Sequence, residues 1–187
     1  MTQYRILIPS EYEALRDNIP KTKHRIVVDT LLFTGMRYSE LSMFSHNLGW
    51  FDAKNRAIVL PWWITKTEKE RVIHLTPAFT KSLDDSIRWL KGHDESLEVP
   101  GIRSMARDLR RWHCMNDGDG HPLPAPTPKT FRKTWESWLL AAGYSSMAVA
   151  LSQGHSELIS YGHYANLDPR LKSEMEQVKK LTEGWGT

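Results

Sequence analysis

One short block of β-branched and aromatic residues interrupts a chain otherwise patterned for helix, and no other feature constrains the fold as much. Ala57-Ile-Val-Leu60, Trp62-Trp63-Ile64 and Val72-Ile-His-Leu75 read as the short strands of a small antiparallel sheet. Lys66-Thr-Glu-Lys-Glu70, between the last two, is a polar hairpin loop. Ahead of the block, Ser10 followed by Glu13 signals a capping box, so a helix is expected from near Glu11 to about Asn18. Apolar residues at Ile26, Val27, Leu31 and Leu32 mark a second helix over roughly His24 to Phe33. Gly35 ends it, and a short helix from Arg37 to Phe44 follows. Beyond the block, Thr76-Pro77 and Thr127-Pro128 each set a capping threonine before a first-turn proline. The first pair opens a helix to about Leu90, the second a helix ending at Gly143. Further helices are expected over Ile102 to Met115, from Ser145 to near Gly154, and from Asp168-Pro169 onwards. Asn116 to Pro126, rich in Gly, Asp and Pro, is a loop. The expected fold is mainly α with a small antiparallel β-sheet (α+β), in one domain of 187 residues.

Composition removes several function classes. Hydrophobic residues make up 40% and charged residues 25%, a globular balance. The longest apolar run, around Ile26 to Phe33, is far too short to span a membrane. Met1 to Ser10 lacks the layout of a secretory signal, so a cytoplasmic protein is expected. Cys114 is the single cysteine, which excludes an internal disulfide framework and a multi-cysteine zinc site, and suits a small buried hydrophobe. His113, His121, His155 and His163 show no i, i+4 pairing, and Asp117-Gly-Asp-Gly120 lacks the closing glutamate of a calcium loop. Neither a metal nor a small-molecule cofactor is expected. The eight tryptophans read mostly as core, and packing is the expected role of Trp62-Trp63 as well.

A net charge of +3 suits an anionic partner, and the distribution of that charge is more informative. Arg103, Arg107, Arg110 and Arg111 fall close together, with Lys129, Arg132 and Lys133 soon after, against three acids in the stretch. A helix with such a face can lie along a phosphate backbone, although a solvated surface helix would carry the same pattern.

Metal-free phosphodiester transfer needs a nucleophile, cations for the non-bridging oxygens and an acid for the departing oxygen. Arginine suits the clamp because its planar fork grips a phosphate with two parallel bonds, and lysine suits the acid. Thr34-Gly-Met-Arg37-Tyr-Ser-Glu40-Leu41 resembles the first signature of the tyrosine recombinase family, T-G-x-R-x-x-E-L. Thr65-Lys66-Thr-Glu-Lys69-Glu-Arg71-Val-Ile resembles that family's β-hairpin, with a lysine in the turn and a basic pair leading into the next strand. Lys129-Thr-Phe-Arg132-Lys-Thr-Trp-Glu-Ser-Trp-Leu139 is similar to its H-x-x-R-H-T stretch, with Lys129 in place of the usual first histidine. Such K-x-x-R variants resemble integrases of archaeal viruses. Leu151-Ser-Gln-Gly154-His155-Ser156 resembles L-x-x-G-H-S, after which the family places its tyrosine nine residues beyond the histidine, at Tyr164 rather than Tyr161.

The resemblance implies a catalytic domain that cuts and rejoins double-stranded DNA through a 3′-phosphotyrosyl link, assembled with copies of itself on the DNA. It assigns Tyr164 as nucleophile and Arg37, Arg132 and His155 as transition-state stabilisers with Lys129 assisting. Lys66 is then the acid for the leaving oxygen, and Glu40 an orienting carboxylate. Family members carry a further helical clamping domain ahead of this one, and only about thirty residues precede Thr34, so a fragment or a minimal member is expected. The last segment, from Asp168, resembles the part that relatives pack on a neighbouring subunit. A type IB topoisomerase, a telomere-resolving enzyme and a catalytically silent DNA-binding protein share enough of the pattern to stand as alternatives.

Overall fold

The computed structural model describes residues 5–66, 68–113, 115–116, 120–154 and 169–186. Eight α-helices are present among them: α1 (Pro9–Asp17), α2 (Thr22–Thr34), α3 (Tyr38–His46), α4 (Pro77–Gly92), α5 (Ile102–Trp112), α6 (Pro128–Ala141), α7 (Ser146–Gln153) and α8 (Met175–Thr182). Strands β1 (Phe51–Asp52), β2 (Ala57–Leu60) and β3 (Arg71–His74) form one antiparallel sheet in the order β1-β2-β3. Ile58 faces Ile73 across it, and Leu60 faces Arg71 as the last pair.

Helix α6 is the axis of the core. Phe131, Trp135, Trp138 and Leu139 are fully buried, as are Val27, Val28, Leu31 and Leu32 of the adjoining α2. Phe33 sets its ring edge-on to Trp135 and to Tyr12, at centroid distances of 5.4 and 5.6 Å, and stacks on Phe79 at 5.1 Å. Two buried polar groups at the core find partners. The Trp138 indole donates to the Leu7 carbonyl at 2.9 Å, and the Leu7 amide donates to the Thr134 hydroxyl at 2.9 Å. The proline-marked starts hold: Thr76 accepts the Phe79 amide through its hydroxyl at 3.2 Å, and Thr127 precedes Pro128 at the head of α6.

Four details depart from the sequence expectations. Helix α1 is capped two residues early, where the Ile8 amide donates to Glu11, and Ser10 bonds Glu174 of the C-terminal segment instead. Trp62–Ile64 is a 3-10 turn, not a strand; it follows Pro61, and the strand missed in the sequence is Phe51–Asp52. Trp62 and Trp63 are 61% and 54% exposed, so packing does not account for them, although Trp112, Trp135, Trp138 and Trp185 are core residues. Helix α5 stops at Trp112, short of Met115, because His113 turns extended and bonds the Leu123 carbonyl across an Asn116–Pro122 bridge. Cys114 and residues 117–119 lie outside the described residues.

The described part of the C-terminal segment packs on its own chain. Leu171, Val178, Thr182 and Trp185 are buried, α8 lies on α6, and Tyr144 donates its hydroxyl to the Thr182 carbonyl at 2.6 Å. Arg170 reaches Glu11 at 2.6 Å. No described helix is long and apolar enough to cross a membrane.

Candidate active site

Two glycines bring three helix ends and a strand together. Gly35 caps α2 in the left-handed region at φ 60°, and a Cβ there would fall 2.1 Å from the side-chain nitrogen of Gln153. Gly154 caps α7 at φ 67°, and its Cβ would fall 2.5 Å from the Arg71 guanidinium. Backbone therefore approaches a packed side chain at each glycine, where the arginines converge.

Arg37 stands at the start of α3, where its own amide donates to Glu40 Oε2 at 2.8 Å. Its guanidinium donates to Glu40 Oε1 at 2.8 Å and to the Gly154 carbonyl at 3.2 Å. Arg132, one turn into α6, donates to the Gly35 carbonyl at 2.7 Å and to the Gln153 carbonyl. Both arginines line one cleft of about 750 Å³, together with Lys129 and Lys133 of α6 and the buried Glu136. Tyr38, Val99, Pro100 and Ile102 line the same cleft and give it apolar surface.

Glu40 is buried and serves more than its predicted partner. Its Oε2 also accepts from Arg71 at 2.5 Å, and Arg71 donates in turn to the Gln153 carbonyl at 2.9 Å. The sequence marked Arg71 only as one of the basic pair leading into the strand and gave it no role in the site. A signal for it existed, because it shares the inward face of β3 with Ile73, and a charge at an inward strand position requires a buried partner.

Electrostatics follow from this packing. Burial alone would raise the Glu40 carboxyl, but the Arg71 charge, then the Arg37 amide and guanidinium, hold it below the usual range. Burial, with the Arg37 and Arg71 charges, lowers Arg132 to about 9, which leaves it cationic at neutral pH. Burial and the Lys129 charge lower Lys133 against the pull of Glu136. The arrangement is a concentration of fixed positive charge on one cleft, suited to an oxyanion such as a phosphate.

The other predicted residues fall as follows. Lys66 is exposed on the β2–β3 connection and is not among the residues lining the cleft. Arg103, Arg107, Arg110 and Arg111 are exposed along α5, whose N-terminal residues Gly101 and Ile102 border the cleft. His155, His163, Tyr161 and Tyr164 lie outside the described residues; Gly154, bonded to Arg37, is the last described residue before His155. Among the described residues no group of three or more His, Cys, Asp or Glu comes together.

Residues 5–170 match the phage integrase family, and the chain belongs to that family. It is 25% identical over 166 residues to a Sinorhizobium fredii (strain NBRC 101917 / NGR234) protein provisionally named integrase/recombinase y4eF, an alignment covering 87% of this chain and 64% of the relative. The fold is similar to the crystal structure of XerA recombinase, with a TM-score of 0.67 at 18% identity over 92% of this chain and 64% of that one. It is also similar to the Tn1549 transposon integrase in complex with a circular intermediate DNA (TM-score 0.68, 20% identity, 95% of this chain and 67% of that one). XerH recombinase bound to a palindromic difH substrate matches at TM-score 0.66 and 18% identity, over 94% of this chain and 54% of that one. The chain thus spans less than two thirds of the length of y4eF and of XerA.

Proposed function

We propose that this chain is the catalytic domain, residues 1–187, of a site-specific DNA recombinase of the integrase type. Tyr164 attacks a DNA phosphorus, forms a 3′-phosphotyrosyl bond and expels a 5′-oxygen, which Lys66 protonates. Arg37, Arg132 and His155 stabilise the five-coordinate transition state, with Lys129 adding charge. A 5′-hydroxyl from a partner strand then attacks the phosphotyrosine and releases Tyr164. The bond energy is kept in the covalent link, so the cycle is written without nucleotide hydrolysis.

The observation that carries this reading is the convergence of Arg37 and Arg132 on one cleft, each guanidinium held by acceptors of the protein itself. Clamps fixed before the substrate arrives need no reorganisation as charge develops. The exposed arginines of α5 extend the basic surface from the rim of the cleft, and we read them, with Lys133, as contacts to duplex DNA. Lys129 ahead of Arg132 gives the K-x-x-R form, which favours a likeness to archaeal-virus integrases and a role in viral genome integration inside the host cell. Copies of the chain would assemble on the paired sites.

Cleavage of nicked duplexes in the presence of a chelator tests the proposal. The unaltered chain is expected to cleave, and Arg37→Ala or Arg132→Ala to slow cleavage on the order of a hundredfold or more. Cleavage that disappears with chelator, or that survives loss of both arginines, contradicts it.

A further inference from the structure

We propose that Arg71 is a positioning residue for strand cleavage, fixing the turn that carries Lys66 to the Arg37–Arg132 clamp so that acid and clamp share one frame. The inference rests on the reading of Lys66 as the acid.

Arg71 is 6% exposed on an inward position of β3. Burying a guanidinium there is costly, and an apolar pair in place of Arg71 and Glu40 would serve the fold about as well. What the arginine adds is connection. Its two terminal nitrogens bond Glu40 and the Gln153 carbonyl. Glu40 is also the partner of Arg37, and the Gln153 carbonyl is also the acceptor of Arg132. One side chain therefore touches the acceptor of each clamping arginine. Gly154 leaves room for it, since a Cβ there would strike its guanidinium.

On the other side of Arg71 lies the loop. Between Leu60 and Arg71 the chain leaves the sheet, and the loop is closed on itself by the buried Thr65. The Thr65 hydroxyl donates to the Lys69 carbonyl at 2.7 Å and accepts the Lys69 amide at 3.1 Å, while the Glu68 amide donates to the Thr65 carbonyl at 3.1 Å. Lys66 follows Thr65 directly, and Arg71 comes two residues after Lys69. The knot gives the loop its shape, and Arg71 ties that shape to the clamp.

The test uses a leaving group that needs no acid. A duplex is first selected from a random-site library by covalent trapping on the unaltered chain. It is then made with either oxygen or sulfur at the 5′-bridging position. A thiol ionises near pH 8.5, so a thiolate departs without protonation. Lys66→Ala and Arg71→Met are expected to cleave the oxygen duplex about a hundredfold slower, and to recover to within about fivefold of the unaltered chain on the sulfur duplex. Arg132→Ala, a clamp loss, stays slow on both. Arg71→Lys keeps a charge opposite Glu40, guards against loss of the fold, and is expected to show the same selective recovery. Lys66→Ala recovering while both Arg71 variants remain equally slow on the two duplexes overturns the inference alone. Lys66→Ala failing to recover overturns the acid assignment and the inference with it.

Discussion

Arg71 and Arg132 donate to the same acceptor, the backbone carbonyl of Gln153, one from a strand and the other from the central helix. Two guanidiniums on one carbonyl repel each other, and the site tolerates this because Glu40 pairs with Arg71 directly and lies near enough to favour the charged form of Arg132. The clamp is consequently a network in which geometry and charge depend on each other.

Arg132→Lys tests the geometry with the charge retained. An ammonium on a flexible stem cannot reproduce a planar fork on the Gly35 and Gln153 carbonyls. The expected result is cleavage slowed on the order of a hundredfold in single turnover, with a loss of no more than about 1–2 kcal/mol in stability. Near-normal cleavage would mean that charge alone suffices.

Glu40→Gln tests the charge. Removing the carboxylate leaves Arg71 buried without its counter-ion, at a cost of about 3–5 kcal/mol by urea unfolding. The Glu40 pKa is held below its ordinary value of 4.5, so its stabilising contribution is complete above that pH. As pH falls below 4.5 and through the depressed value, the contribution disappears. The difference in stability between the unaltered chain and Glu40→Gln should therefore be flat at neutral pH and shrink in acid.

Much of this was legible in the sequence, for identifiable reasons. Thr76-Pro77, Thr127-Pro128 and Gly35 mark helix ends through local backbone chemistry, and α4, α6 and α2 begin or end where they predict. Arg37 and Arg132 were singled out by their resemblance to the family's motifs, and both line one cleft. Arg71 was passed over despite its inward strand position, because its partners, Glu40 and Gln153, are distant in sequence and basic residues near a hairpin usually face solvent. The Trp62-Trp63 pair read as strand because aromatic residues favour sheets, but pairing ends at Leu60–Arg71 and the turn after Pro61 carries both rings outward. The displaced cap of α1 has the same origin: Ser10 finds Glu174, a contact no local pattern encodes.

Gly35→Ala is expected to affect both fold and clamp. The residue would hold an L side chain at φ 60°, with its Cβ against the buried Gln153 amide. Strain and displacement together should cost about 1–3 kcal/mol in chemical unfolding. Cleavage should fall further than stability explains, since the Gly35 carbonyl positions Arg132.

The α5 arginines should act on affinity rather than on chemistry. Replacing Arg103, Arg107, Arg110 and Arg111 singly with alanine is expected to weaken duplex binding and to lower the slope of log affinity against log salt by about one each. Titrations at several salt concentrations measure this. Unchanged slopes would assign those side chains to an ordinary solvated face.

The most direct measurement is covalent trapping on a nicked duplex in chelator, comparing Tyr164→Phe with Tyr161→Phe. The account predicts a protein–DNA adduct from the unaltered chain and from Tyr161→Phe, and none from Tyr164→Phe. An adduct that persists in Tyr164→Phe, or one lost only in Tyr161→Phe, would contradict the assignment of the nucleophile on which the proposed mechanism is built.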